Sequence, residues 1–125
     1  MKIIYFEDTP RFAVMYKTAL EKAGFEVVHF EQPPPDVIEI ISQESPDLIL
    51  TDIMMPGIDG FQMAKMAKGD DRTKKIPIFA LSSMALEDYR QRGLDIGMED
   101  YYFKNENPPD KIVAKFLDFF NNKDI

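Results

Sequence analysis

The chain has 125 residues, 45% of them apolar and 30% charged, which fits one globular domain with a sizeable core and excludes a disordered or fibrous chain. Lys and Arg total 15 against 22 Asp and Glu, a formal net charge of −7, so a phosphate backbone is repelled on average and direct nucleic-acid binding is not expected. There is no cysteine, which excludes disulfides, thiolate catalysis and Cys-based zinc sites; no apolar run reaches the roughly 20 residues of a membrane helix, and MKIIYFED is too short an apolar start for a signal peptide, so a cytoplasmic protein with no membrane contact is expected.

In chain order, KIIYF (2–6) is a short run rich in β-formers. Residues 10–23 place Phe12, Met15, Tyr16, Ala19, Leu20 and Ala23 at helical spacing. Pro10 suits the first turn and Gly24 the position just past the end. EVVHF (26–30) reads as a strand. In EQPPPD, three prolines (33–35) force an extended connection, of a length that suits a loop within a domain. Residues 36–44 carry Val37, Ile40 and Ile41 on one helical face, with Asp36 as N-cap. DLILTD (47–52) is a strand, and residues 60–68 a helix ended by Gly69. IPIFALS (76–82) is a strand, residues 84–93 a helix ended at Gly93, and DYYFK (100–104) a strand. Residues 109–121 carry Ile112, Val113, Phe116, Leu117 and Phe120 as a helical stripe.

Five strands thus alternate with five helices. Strict alternation predicts an α/β domain: a parallel sheet with right-handed crossovers and helices on both faces. It also accounts for LIL and IFAL, since central parallel strands are buried on both sides and read as unbroken apolar runs. Ligands of such sheets bind outside the carboxyl ends of the strands, where the strand order reverses.

At those ends stand Glu7 and Asp8 after the first strand, Asp52 after the third, Ser82 and Ser83 after the fourth, and Lys104 after the fifth. Three carboxylates brought together repel one another, and a hard cation relieves this; all-oxygen ligation favours Mg²⁺, or Mn²⁺. A lysine is a point charge suited to a phosphoryl oxygen, and a serine hydroxyl can donate to the same group. Asp52 is then a carboxylate able to attack phosphorus and form an aspartyl phosphate. Each residue alone has a plainer role. Glu7 and Asp8 could complement a helix N-terminus, Asp52 a turn, Ser82 and Ser83 an N-cap, and Lys104 a solvated surface. Their joint placement at four strand ends favours the site.

With these residues in place, the chain resembles the receiver domain of bacterial response regulators, of the chemotaxis-regulator type, over essentially its whole length. DIMMPGIDG (52–60) is close to the family's phosphorylation-loop signature, and Glu7-Asp8, Ser82 and Lys104 fall in family order and spacing. The resemblance implies a doubly wound, flavodoxin-like fold with strand order 2-1-3-4-5. It implies that Asp52 accepts a phosphoryl group from the phosphohistidine of a histidine kinase or phosphotransfer protein. Asp8, Asp52 and the backbone carbonyl of Met54 would hold Mg²⁺ directly and Glu7 through water. Ser82 and Lys104 would contact the phosphoryl group, and Ser82 with Tyr101 would form the switch. The surface of the fourth helix, fifth strand and fifth helix, with Tyr102, Phe103 and Phe119 as candidate anchors, would meet an output partner or a second copy as a homodimer. Met54 and Met84, two residues after Asp52 and Ser82, flank the path of the attacking water in receivers. As weak acceptors they imply slow self-dephosphorylation.

Departures from the family pattern are few. The family usually has a cis Lys-Pro at the fifth strand end; here Asn105 follows Lys104, and a cis bond before a non-proline costs about 2.5–4 kcal/mol. His29 lies on the second strand and reads as a structural residue away from the site. A receiver-like interaction module acting without phosphorylation is the alternative. A phosphatase with an aspartyl nucleophile is disfavoured because Met54 stands where a second acid would be needed, so the protein is not expected to be an enzyme beyond its own phosphorylation and dephosphorylation. Residues 1–125 are expected to form one receiver domain with no output domain in the chain.

Overall fold

The computed structural model describes residues 1–122. Its elements are β1 (Lys2–Phe6), α1 (Pro10–Lys22), β2 (Glu26–Phe30), α2 (Val37–Glu44), β3 (Leu48–Thr51), α3 (Gly60–Lys68), β4 (Ile78–Ser82), α4 (Glu87–Ile96), β5 (Asp100–Phe103) and α5 (Pro109–Asn122). A 3₁₀ turn at Lys104–Glu106 joins β5 to α5. The five strands form one sheet in the order β2-β1-β3-β4-β5, and every pairing is parallel. The order reverses between β1 and β3, which is where a doubly wound sheet opens a crevice at its carboxyl edge.

The sheet divides the core in two, as the period-2 alternation of strand side chains requires. Ile3, Tyr5, Leu48, Leu50, Phe79 and Leu81 face α1 and α5, where they meet Tyr16, Leu20, Ile112 and Phe116. Ile4, Phe6, Ile49, Ile78 and Ala80 face the other way and meet α2 and α3 through Val37, Ile41, Met63, Ala64 and Ala67. The central strands are buried along their whole length, which is why they carry no polar alternation.

The expected elements are present, with shifted ends. Asp47 stands outside β3: its amide donates to the Lys2 carbonyl at 2.8 Å and its carboxylate accepts from the Lys2 amide at 2.7 Å. Asp52 follows the last residue of β3, its amide donating to the Phe6 carbonyl at 2.9 Å. Lys104 belongs to the 3₁₀ turn and not to β5. Asp36 occupies the N-cap position of α2 but makes no capping hydrogen bond; the first amide, Val37, goes to the Pro34 carbonyl at 3.0 Å, which gives the proline segment a part in starting the helix. Asp59 caps α3 in a full capping box with Gln62.

The fourth helix departs most from expectation. It begins at Glu87, not at residue 84, and runs through Gly93 to Ile96, ending on Gly97 at φ +115°. Gly93 therefore does not stop the helix. It is the buried residue of α4, and a Cβ there would stand 3.0 Å from Met98 Sδ and 3.4 Å from the Tyr101 ring, so its small size seats α4 against β5. The Met84 peptide is held outside the helix: its amide donates to Ser82 Oγ at 3.0 Å and its carbonyl accepts from the Tyr101 hydroxyl at 3.0 Å.

Gly97 occupies a left-handed backbone conformation that costs an L-residue roughly 1 kcal/mol. Gly97→Ala should lower unfolding stability by about that amount in urea, with an unchanged denaturant slope.

Candidate functional site

The carboxyl ends of β1, β3, β4 and β5 deliver the chemistry to one rim. Glu7 follows β1 directly, its amide donating to the Phe30 carbonyl at 3.0 Å, so it leaves the sheet in an extended conformation with its side chain turned inward. It is buried. One carboxylate oxygen accepts from Lys104 Nζ at 2.7 Å and from the Tyr5 hydroxyl at 3.3 Å, the other from the Thr9 amide at 3.2 Å.

Asp52 faces it. Its Oδ1 accepts from the Ile53 amide at 2.7 Å and its Oδ2 from Lys104 Nζ at 3.1 Å. Thr51 Oγ1 donates to the Asp52 carbonyl at 2.7 Å, and the amide is already committed to β1. The loop after Asp52 folds back through Gly57, at φ +74°, and the Gly60 amide donates to the Ile53 carbonyl at 2.9 Å. A Cβ on Gly60 would fall onto the Asp52 carbonyl oxygen and 2.9 Å from Ile53 Cα. The glycine is required by this close contact between backbones.

Lys104 completes the group. It is 9% exposed, its ammonium shared between Glu7 and Asp52, with the Phe12 ring centroid 4.1 Å from Nζ. The Lys104–Asn105 bond is trans, as no cis bond occurs among the described residues. Asp8 is half-buried. Carboxylate oxygens of Glu7, Asp8 and Asp52 lie within 4.8 Å of one another. Ser82 is buried at the end of β4, bonded to the Met84 amide and so not an N-cap of α4. Tyr101 is 1% exposed, its ring packed inward against Phe61 with centroids 6.4 Å apart. Met54 is an exposed side chain on the loop after Asp52, and Met84 is half-buried.

The electrostatics follow from three acids and one base. Burial raises the Glu7 carboxyl to about 7; the Asp52 charge pushes the same way and Lys104 opposes both. Burial first, then the Glu7 charge, raises the Tyr5 hydroxyl above its ordinary value. The donor set is all oxygen, anionic in excess of its one lysine, and half open at Asp8. That is a fit for a hard divalent cation such as Mg²⁺, which takes few protein ligands and keeps several waters.

Several participants carry no sequence signal. Phe12 and Tyr5 read only as core residues of a helix and a strand. His29 was expected to lie away from the site, yet its Nε2 is 2.8 Å from the Glu7 carbonyl and its ring is 5.7 Å from Tyr5. Register explains this: His29 pairs with Tyr5 across β1 and β2, one residue short of the rim.

Without metal, a carboxyl raised above its unfolded value binds its proton more tightly in the folded state. Its contribution to stability is present at low pH and lost as pH rises from about 4.5 towards 7. Thermal unfolding in EDTA should show this loss. Glu7→Gln should flatten the profile and raise the pH 8 midpoint by a few degrees, on the order of 1 kcal/mol, because Asp52 and Lys104 remain as a neutral pair.

A family model described as the response regulator receiver domain matches residues 3–116. The chain is 34% identical over 111 residues to the phosphate regulon transcriptional regulatory protein PhoB of Pseudomonas aeruginosa, covering 89% of this chain and 48% of that protein. It thus spans about half the length of the PhoB relatives it matches, and 14% of a gliding motility regulatory protein of Myxococcus xanthus. Among solved structures, the BeF3-activated N-terminal receiver domain of Klebsiella pneumoniae RstA superposes with TM-score 0.81 at 32% identity, covering 93% of this chain and 95% of that one. The receiver domain of the Francisella response regulator 1452 superposes with TM-score 0.85 at 22% identity over 98% of each chain, a likeness of fold. Fold, strand-end acids and relatives converge: the chain belongs to the response regulator receiver domains, the phosphoacceptor modules of two-component signalling.

Proposed function

We propose that Asp52 is the phosphoacceptor and that residues 1–125 act as one receiver domain whose phosphorylation changes a partner-binding face. The observation that carries this is the placement of Asp52. One carboxylate oxygen is oriented by the Ile53 amide and the other by Lys104 Nζ, at the sheet rim beside two further carboxylates. An Asp52 oxygen attacks the phosphorus of a donor phosphohistidine. The P–O bond forms, the P–N bond breaks, and its electron pair returns to the imidazole nitrogen, which takes a proton. Lys104 can follow the negative charge from the carboxylate to a phosphoryl oxygen, and charge aimed at the transferring group is the main catalytic lever available to such a site. Asp8, Asp52, the Met54 carbonyl and, through water, Glu7 would hold Mg²⁺ or Mn²⁺, which when bound supplies positive charge to the phosphoryl oxygens. The donor would be a histidine kinase or a phosphotransfer protein, in the cytoplasm. Among the described residues no helix is long and apolar enough to cross a membrane.

Readout would run through Ser82 and Tyr101. The Ser82 hydroxyl accepts from the Met84 amide and can donate its own proton to a phosphoryl oxygen at the same time. The Met84 carbonyl is in turn held by Tyr101, whose ring lies under α4. A phosphoryl group is thereby linked to the loop that starts α4. The face formed by α4, β5 and α5 would then meet an output protein or a second copy. Tyr102, Phe103 and Phe119 are each partly covered there, Tyr102 and Phe119 both against Phe79. An Arg90–Asp100 pair at 3.5 Å adds fixed charges to the face. A chain of net charge −7 suits a protein partner better than nucleic acid.

Asp52→Asn should abolish the mass shift that acetyl phosphate or a cognate kinase produces, leaving the circular dichroism unchanged; equal labelling of variant and wild type would remove Asp52 from this role. The phosphorylated state should be long-lived, since the exposed Met54 and half-buried Met84 are poor at orienting water. Met54→Asn with Met84→Glu should speed hydrolysis by about tenfold or more, and an unchanged decay would refute that account.

A further inference from the structure

A buried lysine has to be delivered to Asp52 by a very short turn. Lys104–Glu106 form a single 3₁₀ turn, closed by the Asn107 amide on the Lys104 carbonyl at 3.3 Å. Such a turn has poor hydrogen-bond geometry and little stability of its own. Lys104 Nζ nevertheless stands 2.7 Å from Glu7 and 3.1 Å from Asp52.

The support comes from α1. The Tyr16 hydroxyl donates to the Asn107 backbone carbonyl at 2.6 Å across 91 positions of sequence, and both residues are buried. Asn107 Nδ2 donates to the Phe103 carbonyl at 2.9 Å, so the turn is pinned to the end of β5 and to α1 at once. Phe12 lies four residues before Tyr16, on the same face of α1, and its ring is the surface against which the Lys104 ammonium rests. A phenylalanine at position 16 would fill nearly the same core volume. The hydroxyl is the part of Tyr16 that the core does not need.

We propose that Tyr16 is a positioning residue for Lys104: through the Asn107 carbonyl its hydroxyl fixes the turn that brings the ammonium to the Asp52 carboxylate, and Phe12 sets the depth at which the ammonium rests. This rests on Asp52 as phosphoacceptor. Tyr16 has no hydrogen bond to Glu7, Asp8 or Asp52. Its link to the acids is the Tyr5 ring, edge-on at 6.5 Å, whose hydroxyl donates to Glu7, and removing the Tyr16 hydroxyl leaves that donor in place.

The test is Tyr16→Phe, with Asn107→Ala and Phe12→Leu beside it, in the full chain. Three quantities are read: the rate constant for Asp52 phosphorylation by saturating acetyl phosphate, in which acetate leaves as the P–O bond forms; the Kd for Mg²⁺ from amide shifts; and the ¹⁵N-resolved signal of the Lys104 ammonium. Tyr16→Phe should slow phosphorylation about tenfold, the scale of one net buried hydrogen bond, keep the Mg²⁺ Kd within about twofold, and broaden or erase the ammonium signal. Asn107→Ala should move rate and signal the same way by less. A folded Tyr16→Phe with wild-type rate and wild-type ammonium signal overturns the proposal. If Tyr16→Phe does not fold, Asn107→Ala and Phe12→Leu decide it, since one removes the turn's tie to β5 and the other the ring on which the ammonium rests: a slowed rate with a broadened signal supports the proposal, and a wild-type rate and signal in both overturns it. If the wild type is labelled no more than Asp52→Asn, the phosphoacceptor reading fails, and the ammonium signal alone then decides whether Tyr16 positions Lys104.

Discussion

Two carboxylates and one ammonium, all buried at the rim of the sheet, set the terms for the rest of the molecule. Glu7 and Asp52 share Lys104, and Asp8 adds a third acid within reach. Removing such charges from water is costly unless each is closely paired and hydrogen-bonded. The fold meets that requirement with neutral donors already present in its elements: the Thr9 amide and the Tyr5 hydroxyl for Glu7, and the Ile53 amide for Asp52. No buried side-chain nitrogen or oxygen among the described residues is left without a partner. The surplus negative charge is the residual that a cation would neutralise.

The rigid surroundings of the site follow from the same requirement. Parallel strands buried on both faces end together at one edge, so three of the four contributing segments are anchored by apolar packing that has nothing to do with chemistry. The fourth, the turn bearing Lys104, has no such anchor. It is tied instead to α1 and β5 by polar contacts, and Tyr16 and Asn107 account for most of them.

Much of this was legible in the residues themselves. Strand–helix alternation is written in apolar runs separated by helical stripes, and the strand-end acids, serine and lysine stand where a doubly wound sheet places its ligands. The bounds of the fourth helix were not legible, although its presence was. Only Gly93 is buried along it, so it has no apolar stripe to read, and a glycine that packs looks the same in sequence as a glycine that terminates. The supporting residues were also hidden. Phe12, Tyr16 and His29 sit at ordinary core positions, and their roles arise from contacts 22 to 92 residues away. Gly60 was visible as the first residue of a helix, but its contact with the Asp52 carbonyl depends on how far the preceding loop folds back.

That contact has a kinetic meaning. The Asp52 main chain is held at its amide by Phe6, at its carbonyl by Thr51, and sterically by Gly60, while the carboxylate is oriented by Ile53 and Lys104. Little freedom is left to lose when a donor arrives. For the phosphoacceptor role proposed here, the entropy of aligning the nucleophile is spent at folding and not at each encounter. The rate of transfer is then governed by how the donor approaches, and chains with the same rim can differ widely in their choice of donor without any change at the reacting oxygen.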